Sequence, residues 1–241
     1  MSSTDFSQER GRSVLSPYQV RWHAAGGFVN ADHETYQSYF PVSLVDGSTL
    51  ELPLRPLPGG QGAIALLMSN QTPFAIEDVL APLMADAART FSPEAIVAIP
   101  TMGLDYARLV ARRLGLADYT ALGLSRKFWY DEALSECVTS STSPNQAKRI
   151  YLDPALLSRV QRKRVVLVDD VINTGASAVA AIRLLVRAGA QVEGLVVALT
   201  EGSAWCEELS KLAIDWPGKV RSAGHIPLFS RSEGGGWLAL P

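Results

Sequence analysis

Continuous apolar runs alternate with helix-like patterns from Pro93 onward. The runs are rich in valine, isoleucine and leucine, which is typical of strands buried on both faces of a parallel sheet. Between them, apolar residues recur at helical spacing. Strands are predicted at 95–100, 119–124, 164–168 and 191–200, and helices at 103–116, 176–188 and 203–212. This alternation predicts an α/β fold, a mainly parallel twisted sheet with helices on both faces.

The N-terminal part of the chain is patterned differently. Two strand-like segments, FPVSLV and STLELPL, flank Asp46-Gly47, which predicts a hairpin. Prolines at positions 53, 56 and 58 place 54–62 at a sheet edge or in a connecting loop. A further strand is predicted at 63–69, and Thr72 is expected to cap a helix that ends near Thr90.

These patterns divide the chain into four parts. We expect a disordered tail at 1–16, a β-rich region with one helix at 17–92, an α/β core at 93–224 and a C-terminal hood or tail of irregular appearance at 225–241. Within the core, the polar segment at 125–146 has no regular pattern. A loop of this length inside a compact domain is usually either functional or disordered.

Composition excludes several classes of function. A hydrophobic content of 47% over 241 residues supports a substantial core, and the net charge of −2 favours neither nucleic acid nor an anionic membrane as a partner. No apolar stretch approaches the roughly 20 residues that span a bilayer. Two cysteines, Cys137 and Cys206, are too few for a disulfide framework and fit free thiols in a reducing cytoplasm.

The segment RVVLVDDVINTGAS, at 164–177, carries the most specific chemistry. Asp169 and Asp170 fall at the carboxyl end of a predicted strand, where open α/β sheets bind ligands, and their oxygens suit sugar hydroxyls or a hydrated Mg²⁺. The residues from Thr174 to Ser177 would begin a helix whose free N–H groups hold a phosphate. Gly175 permits close approach of the backbone. The segment matches neither a P-loop nor a dinucleotide-binding motif.

With these residues in place, VVLVDDVINTGAS resembles the phosphoribosyl-pyrophosphate (PRPP) motif of the type I phosphoribosyltransferases. The resemblance implies their fold, with an N-terminal β-rich hood, and a Mg²⁺ ion at Asp169 and Asp170. It implies that these acids bind the ribose hydroxyls and that Asn173 to Ser177 bind the 5′-phosphate. The PRPP-binding residues implied in this way are Asp169, Asp170, Val171, Asn173, Thr174, Gly175, Ala176 and Ser177. The alternative is a plain βα unit whose acids cap a helix.

The same resemblance implies a pyrophosphate site at Thr101, Met102 and Gly103. A glycine at a helix start makes a nest for an anion. This loop has no Lys or Arg, which other members of the family often carry there. Arg126 and Lys127 instead offer cations that would offset charge on the leaving group, with Lys127 in a catalytic role. The alternative is a solvated basic pair.

The resemblance also implies that 125–146 is a flexible lid over PRPP. A closed lid keeps water from the reacting ribose carbon. Its aromatic residues, at 128–130, either pack on a base or anchor the loop to the core or to a second subunit. Candidates for contact with the base are Ile172, Trp129 and Phe229, with Trp205, Phe28 and Trp22 as further aromatic candidates.

One position bears on the acceptor. Members that act on 6-oxopurines carry an acid just before the Thr-Gly, whereas this chain has Asn173, and an amide takes up no proton at neutral pH. Members that act on orotate carry lysines in the lid, and 128–146 contains none. The resemblance therefore favours transfer of 5-phosphoribose to a purine of adenine type, in purine salvage, by a cytoplasmic homodimer. A non-catalytic regulator that binds PRPP or a nucleotide is the alternative.

Overall fold

The structure, a computed structural model, describes residues 17–28, 35–138 and 148–240. Its strands are β1 (Arg21–His23), β2 (Tyr39–Ser43), β3 (Thr49–Pro56), β4 (Gly62–Ala65), β5 (Ala95–Ala98), β6 (Thr120–Ala121), β7 (Ser135–Val138), β8 (Lys148–Tyr151), β9 (Arg164–Ile172), β10 (Gln191–Glu201), β11 (Val220–Ile226), β12 (Phe229–Arg231) and β13 (Trp237–Ala239). Its α-helices are α1 (Phe74–Arg89), α2 (Gly103–Arg113), α3 (Ala176–Arg187) and α4 (Ala204–Ser210). The predicted tail at 1–16 lies outside the described residues.

A five-stranded parallel sheet forms the centre of the molecule, in the order β11-β10-β9-β5-β6. Alternate residues of β9 face opposite sides: Val166 and Val168 pack with α1 and α2, and Val165 and Leu167 pack with α3. All four are fully buried, and burial of each such side chain contributes about 1.5–3 kcal/mol. The predicted parallel sheet with helices on both faces is confirmed.

A second, antiparallel sheet of six strands forms a hood against the α1–α2 side of the core. The predicted hairpin at Asp46-Gly47 is confirmed, because β2 pairs with β3 across it and Gly47 has φ of 83°. The segment at 54–62 was predicted to lie at a sheet edge or in a connecting loop. Its first residues, Leu54 to Pro56, belong to β3 and pair with β4, and a turn connects these two strands. The pairs of β3 with β1 and β2 lie upstream, at 49–53.

The C-terminal segment was expected to be a hood or tail of irregular appearance, and only the irregular appearance is wrong. Phe229 pairs with Ala63 of β4, so β12 and then β13 extend the hood sheet. Phe229 and Trp237 are buried there. The two strands have three residues each, and they are held by partners more than 160 positions away, which a local pattern does not reveal.

The segment predicted to be irregular at 125–146 contains regular structure in its described part. A 3₁₀ helix at Glu132–Leu134 leads into β7, which pairs antiparallel with β8. Arg187 of α3 holds this hairpin, since its guanidinium contacts Glu136 at 2.7 Å and donates to the carbonyl oxygens of Ala133 and Ser135. Residues 139–146 of the predicted lid lie outside the described residues.

Other differences are local. The Thr72 hydroxyl donates to the Met68 carbonyl at 2.5 Å instead of capping α1, which begins after Pro73. The strand predicted at 63–69 is confined to β4, and β11 was not predicted. Strand β9 continues to Ile172, so the two acids lie within its last residues and not after them. Among the described residues, no helix has both the length and the apolar character needed to cross a membrane.

Candidate active site

Two loops meet where adjacent parallel strands end. Ala98 of β5 pairs with Val168 of β9, so the loop after β5 lies beside the acids that follow Val168. Gly103 begins α2 at this point, and a Cβ atom placed on it would lie 2.6 Å from the Val168 carbonyl oxygen and 2.9 Å from the Asp169 Cα. Only glycine allows this approach. The structure therefore brings the loop at 101–103 into contact with Asp169. The peptide bond between Pro100 and Thr101 is cis.

A pocket of about 190 Å³ opens at the start of α3. It is lined by Asp169, Val171, Ile172, Asn173, Thr174, Gly175, Ala176, Ser177, Ala178 and Leu195. Gly175 precedes the helix with φ of 81°, a left-handed conformation that favours glycine. The N–H groups of a helix's first turn have no intrahelical partner and carry the positive end of the dipole. Pockets for drug-sized ligands are about 300–1,000 Å³, so this smaller one suits a phosphate group.

The two acids form a coupled pair. Asp170 is buried, and its backbone N–H donates to Asp169 Oδ1 at 2.9 Å. Burial raises the pKa of Asp169 well above its usual range, and the adjacent Asp170 charge raises it further. Burial also raises the pKa of Asp170. Hydroxyl donors or a cation would therefore stabilise the ionised pair.

Asp169 and Asp170 could supply part of a Mg²⁺ site. Within the described residues, no group of three or more His, Cys, Asp or Glu side chains is placed to hold a metal. Proteins usually bind Mg²⁺ through one or two carboxylates while water and substrate oxygens complete the octahedron. Asp169 and Asp170 can supply such a pair of carboxylates, and the remaining ligands would come from water and a phosphorylated substrate.

Asn173 has a partner that the sequence did not indicate. Its Nδ2 donates to Glu201 Oε2 at 2.8 Å, across the ends of β9 and β10. Glu201 is only 7% exposed. Burial raises the pKa of Glu201, and the amide donor of Asn173 opposes the increase. The sequence did contain one signal for Glu201: it is an acid directly after the apolar run at 191–200, just as Asp169 and Asp170 directly follow the apolar run at 165–168.

Two further buried residues support the site without having been predicted. The Ser69 hydroxyl donates to the Met102 carbonyl at 2.7 Å and lies 3.3 Å from Asp105 Oδ2, which fixes the loop before α2. The Tyr106 hydroxyl is buried and has no hydrogen-bond partner among the described residues. Burial raises the pKa of Tyr106, and the Asp170 charge adds to the increase. Neither residue belongs to a recognisable motif.

The basic pair predicted for pyrophosphate lies apart from the acids. Arg126 forms an ion pair with Glu132 at 3.0 Å, and Lys127 is exposed. No ion pair within the described residues connects either cation to Asp169 or Asp170. Their role at the pyrophosphate stays a prediction.

The aromatic residues that were predicted to contact the base lie in different parts of the molecule. Trp129 donates to Asp153 at 3.2 Å and packs edge-on against Phe128, which is 96% exposed. Phe229 is buried in the hood, in edge contacts with Phe40 and Tyr36. Of the three residues predicted to contact the base, only Ile172 lines the pocket at α3.

Comparison with known proteins gives a consistent family. The model of the phosphoribosyl transferase domain matches residues 72–225. An orotate phosphoribosyltransferase from Staphylococcus epidermidis is 32% identical over 93 residues, which cover 39% of this chain and 39% of that protein. The matched stretch thus spans well under half of that relative.

Similar folds occur among solved structures. An APRTase from Giardia lamblia, solved with 9-deazaadenine, has a TM-score of 0.58 at 18% identity and covers 72% of this chain and 93% of its own. An adenine phosphoribosyltransferase from Rhodothermus marinus has a TM-score of 0.56 at 20% identity, with 73% and 94% covered. At these identities the likeness concerns the fold. Since the family model spans more than half of the chain, this protein belongs to the phosphoribosyl transferase domain family.

Proposed function

We propose that this protein transfers 5-phosphoribose from Mg·PRPP to a nitrogenous base, a purine of adenine type, with release of pyrophosphate. One observation carries the proposal: an acid pair, a phosphate-sized pocket and a glycine-tight loop meet at one edge of the parallel sheet. Each element suits one part of PRPP, namely the ribose hydroxyls, the 5′-phosphate and the pyrophosphate.

In this proposal the chain holds the sugar at three points. Asp169 and Asp170 accept hydrogen bonds from the 2′- and 3′-hydroxyls, while N–H groups of Asn173 to Ser177 bind the 5′-phosphate. N–H groups of Thr101 to Gly103 bind pyrophosphate. The contact between Gly103 and Asp169 sets the distance between the pyrophosphate site and the ribose site. When bound, Mg²⁺ supplies positive charge beside the pyrophosphate. Such fixed binding orients the ribose C1 carbon before its bond to pyrophosphate breaks.

The basic pair would act after a movement of the lid. Lys127 is exposed and has no ion pair within the part of the chain that the structure describes, so it is available to move toward the leaving group. Closure of 125–146 would bring Arg126 and Lys127 to the pyrophosphate and exclude water. Protection of this segment from protease by PRPP and Mg²⁺ is the expected result. Equal cleavage with and without ligand would contradict a lid.

An adenine-type acceptor is supported by Asn173. Its amide group is committed to Glu201 as a hydrogen-bond donor and cannot accept a proton from a base. The proposal places the reaction in purine salvage in the cytoplasm. It includes a homodimer, for which the exposed Phe128 and the half-exposed Trp129 offer apolar surface.

The test is pyrophosphate release from Mg·PRPP with a panel of purines and pyrimidines. Release with adenine, lost in Asp170→Asn, supports the proposal, because the amide cannot replace the ionised acceptor of the ribose hydroxyls. Release with orotate alone would leave the transferase but overturn the acceptor. Tight PRPP binding without release for any base would favour a regulator that only binds PRPP.

A further inference from the structure

Glu201 is a buried carboxyl group at the active edge of the sheet. It ends β10, and the register of Thr200 against Ile172 places it beside the end of β9. Glutamate is almost never fully buried unless it is paired. The only hydrogen bond that the described residues give its side chain comes from Asn173, and no Lys or Arg of the described chain lies within 4.0 Å of it.

This carboxyl group keeps acceptor capacity. A carboxylate has about four lone-pair sites, of which Asn173 uses one. Within the described residues, the buried side-chain atoms that lack a hydrogen-bond partner are Tyr106 Oη and Thr120 Oγ1. The Glu201 oxygen that Asn173 does not contact is therefore open to water or to a ligand that donates an N–H group.

The sheet order places Glu201 on the side where the acceptor should arrive. Strand β5, which precedes the proposed pyrophosphate loop, lies on one side of β9, and β10 lies on the other. A nucleophile attacks carbon from the face opposite to the leaving group. If pyrophosphate leaves on the β5 side, the acceptor approaches from the β10 side, where Glu201 lies.

Apolar side chains lie close to the residue that follows Glu201. Gly202 follows it with φ of 54°, and a Cβ on that glycine would meet the Leu228 side chain at 3.1 Å. Leu228 is 45% exposed and offers an apolar wall. The Trp205 indole donates from Nε1 to the Gly202 carbonyl oxygen at 3.1 Å, and the Trp205 Cα lies 3.3 Å from a Cβ built on Gly175.

We propose that Glu201 determines acceptor specificity: its carboxyl group accepts a hydrogen bond from the exocyclic amino group of the base and disfavours an acceptor that is itself an anion. This inference rests on the proposed function and goes further by naming the recognition chemistry. It favours an amino-substituted purine over a base that presents a carbonyl at the same place. It also disfavours orotate, because like charges repel strongly in a desolvated site.

The test compares Glu201→Gln with wild type. The glutamine side-chain oxygen retains the hydrogen bond from Asn173 and the volume of the side chain, while its NH₂ group replaces an acceptor by a donor. We expect kcat/KM with adenine to fall about 100-fold or more and the ratio of adenine to hypoxanthine to shift toward hypoxanthine. The Kd of PRPP should stay within about twofold of wild type. Glu207→Gln, an exposed acid on α4, is the matched control and should leave all values unchanged.

Other outcomes overturn the inference or the function separately. A purely structural role for Glu201 would lower turnover with every base by the same factor and weaken PRPP binding, and that result rejects specificity. An unchanged adenine-to-hypoxanthine ratio rejects it as well. Absence of turnover by wild type with any base instead rejects the proposed function. In that case, equilibrium binding of adenine and hypoxanthine to the PRPP-bound protein gives the same selectivity test for Glu201.

Discussion

Gly103→Ala tests the contact between the loop at 101–103 and the acid pair. The new Cβ would lie 2.6 Å from the Val168 carbonyl oxygen and 2.9 Å from both Cα and Oδ1 of Asp169. Two of these three atoms belong to backbone, so a side-chain rotation cannot relieve the overlap. Overpacking of this kind costs about 1–3 kcal/mol. For a domain of this size, each kcal/mol lowers Tm by about 2–4 °C.

The effect on activity should exceed the effect on stability. Separation of the loop from Asp169 moves the proposed pyrophosphate site away from the ribose site, and a misplacement of about 1 Å can cost about 100-fold in rate. The assay is pyrophosphate release with PRPP and adenine, together with thermal unfolding. Gly218→Ala is the control, because nothing lies within 4 Å of a Cβ at that position. Wild-type Tm and wild-type turnover in Gly103→Ala would refute the reasoning.

Three further changes probe separate parts of the account. Asp169→Asn should abolish transfer yet stabilise the free protein by about 0.5–2 kcal/mol. Because the pKa of Asp169 is higher in the folded than in the unfolded protein, the stability of wild type falls as the pH rises from the unfolded-state pKa through the folded-state pKa. The increase in Tm caused by Asp169→Asn should therefore be larger at pH 8 than at pH 4. An equal increase at both pH values would contradict this. Asn173→Ala leaves Glu201 without its donor and should cost about 1–3 kcal/mol in urea unfolding, whereas unchanged stability would mean that the pair is unimportant. Arg187→Met removes the contacts that hold β7 to α3 and should accelerate proteolysis within 125–138 without changing the PRPP Kd; an unchanged cleavage rate would argue against Arg187 as the anchor.

The core of the fold follows from local pattern. Apolar runs with no polar interruption, such as 165–168, predict strands buried on both faces, and the structure has such strands. Gly175 and the small residues after it mark the start of α3 because few other residues adopt a positive φ. These signals are carried by neighbouring residues, and they are therefore readable from the sequence.

The hood and part of the site depend on contacts between distant residues. Strands β12 and β13 exist because β4 offers them an edge, and the glycines at 234–236 by themselves suggest only a loop. The prolines of β3 suggested an edge or a loop, yet the strand continues through them, paired with β2 as far as Pro53 and with β4 from Leu54 onward. Glu201 is adjacent to Asn173 only through the register of β9 against β10, and no spacing in the sequence reports that register.

The most direct test of the central claim is product analysis by mass spectrometry. Wild type is incubated with Mg·PRPP and adenine, and with hypoxanthine and orotate in parallel, beside Asp170→Asn. The account predicts the adenine nucleoside 5′-monophosphate and an equal amount of pyrophosphate from wild type, and neither from the variant. Pyrophosphate formed together with free ribose 5-phosphate, or nucleotide formed equally by Asp170→Asn, would contradict it.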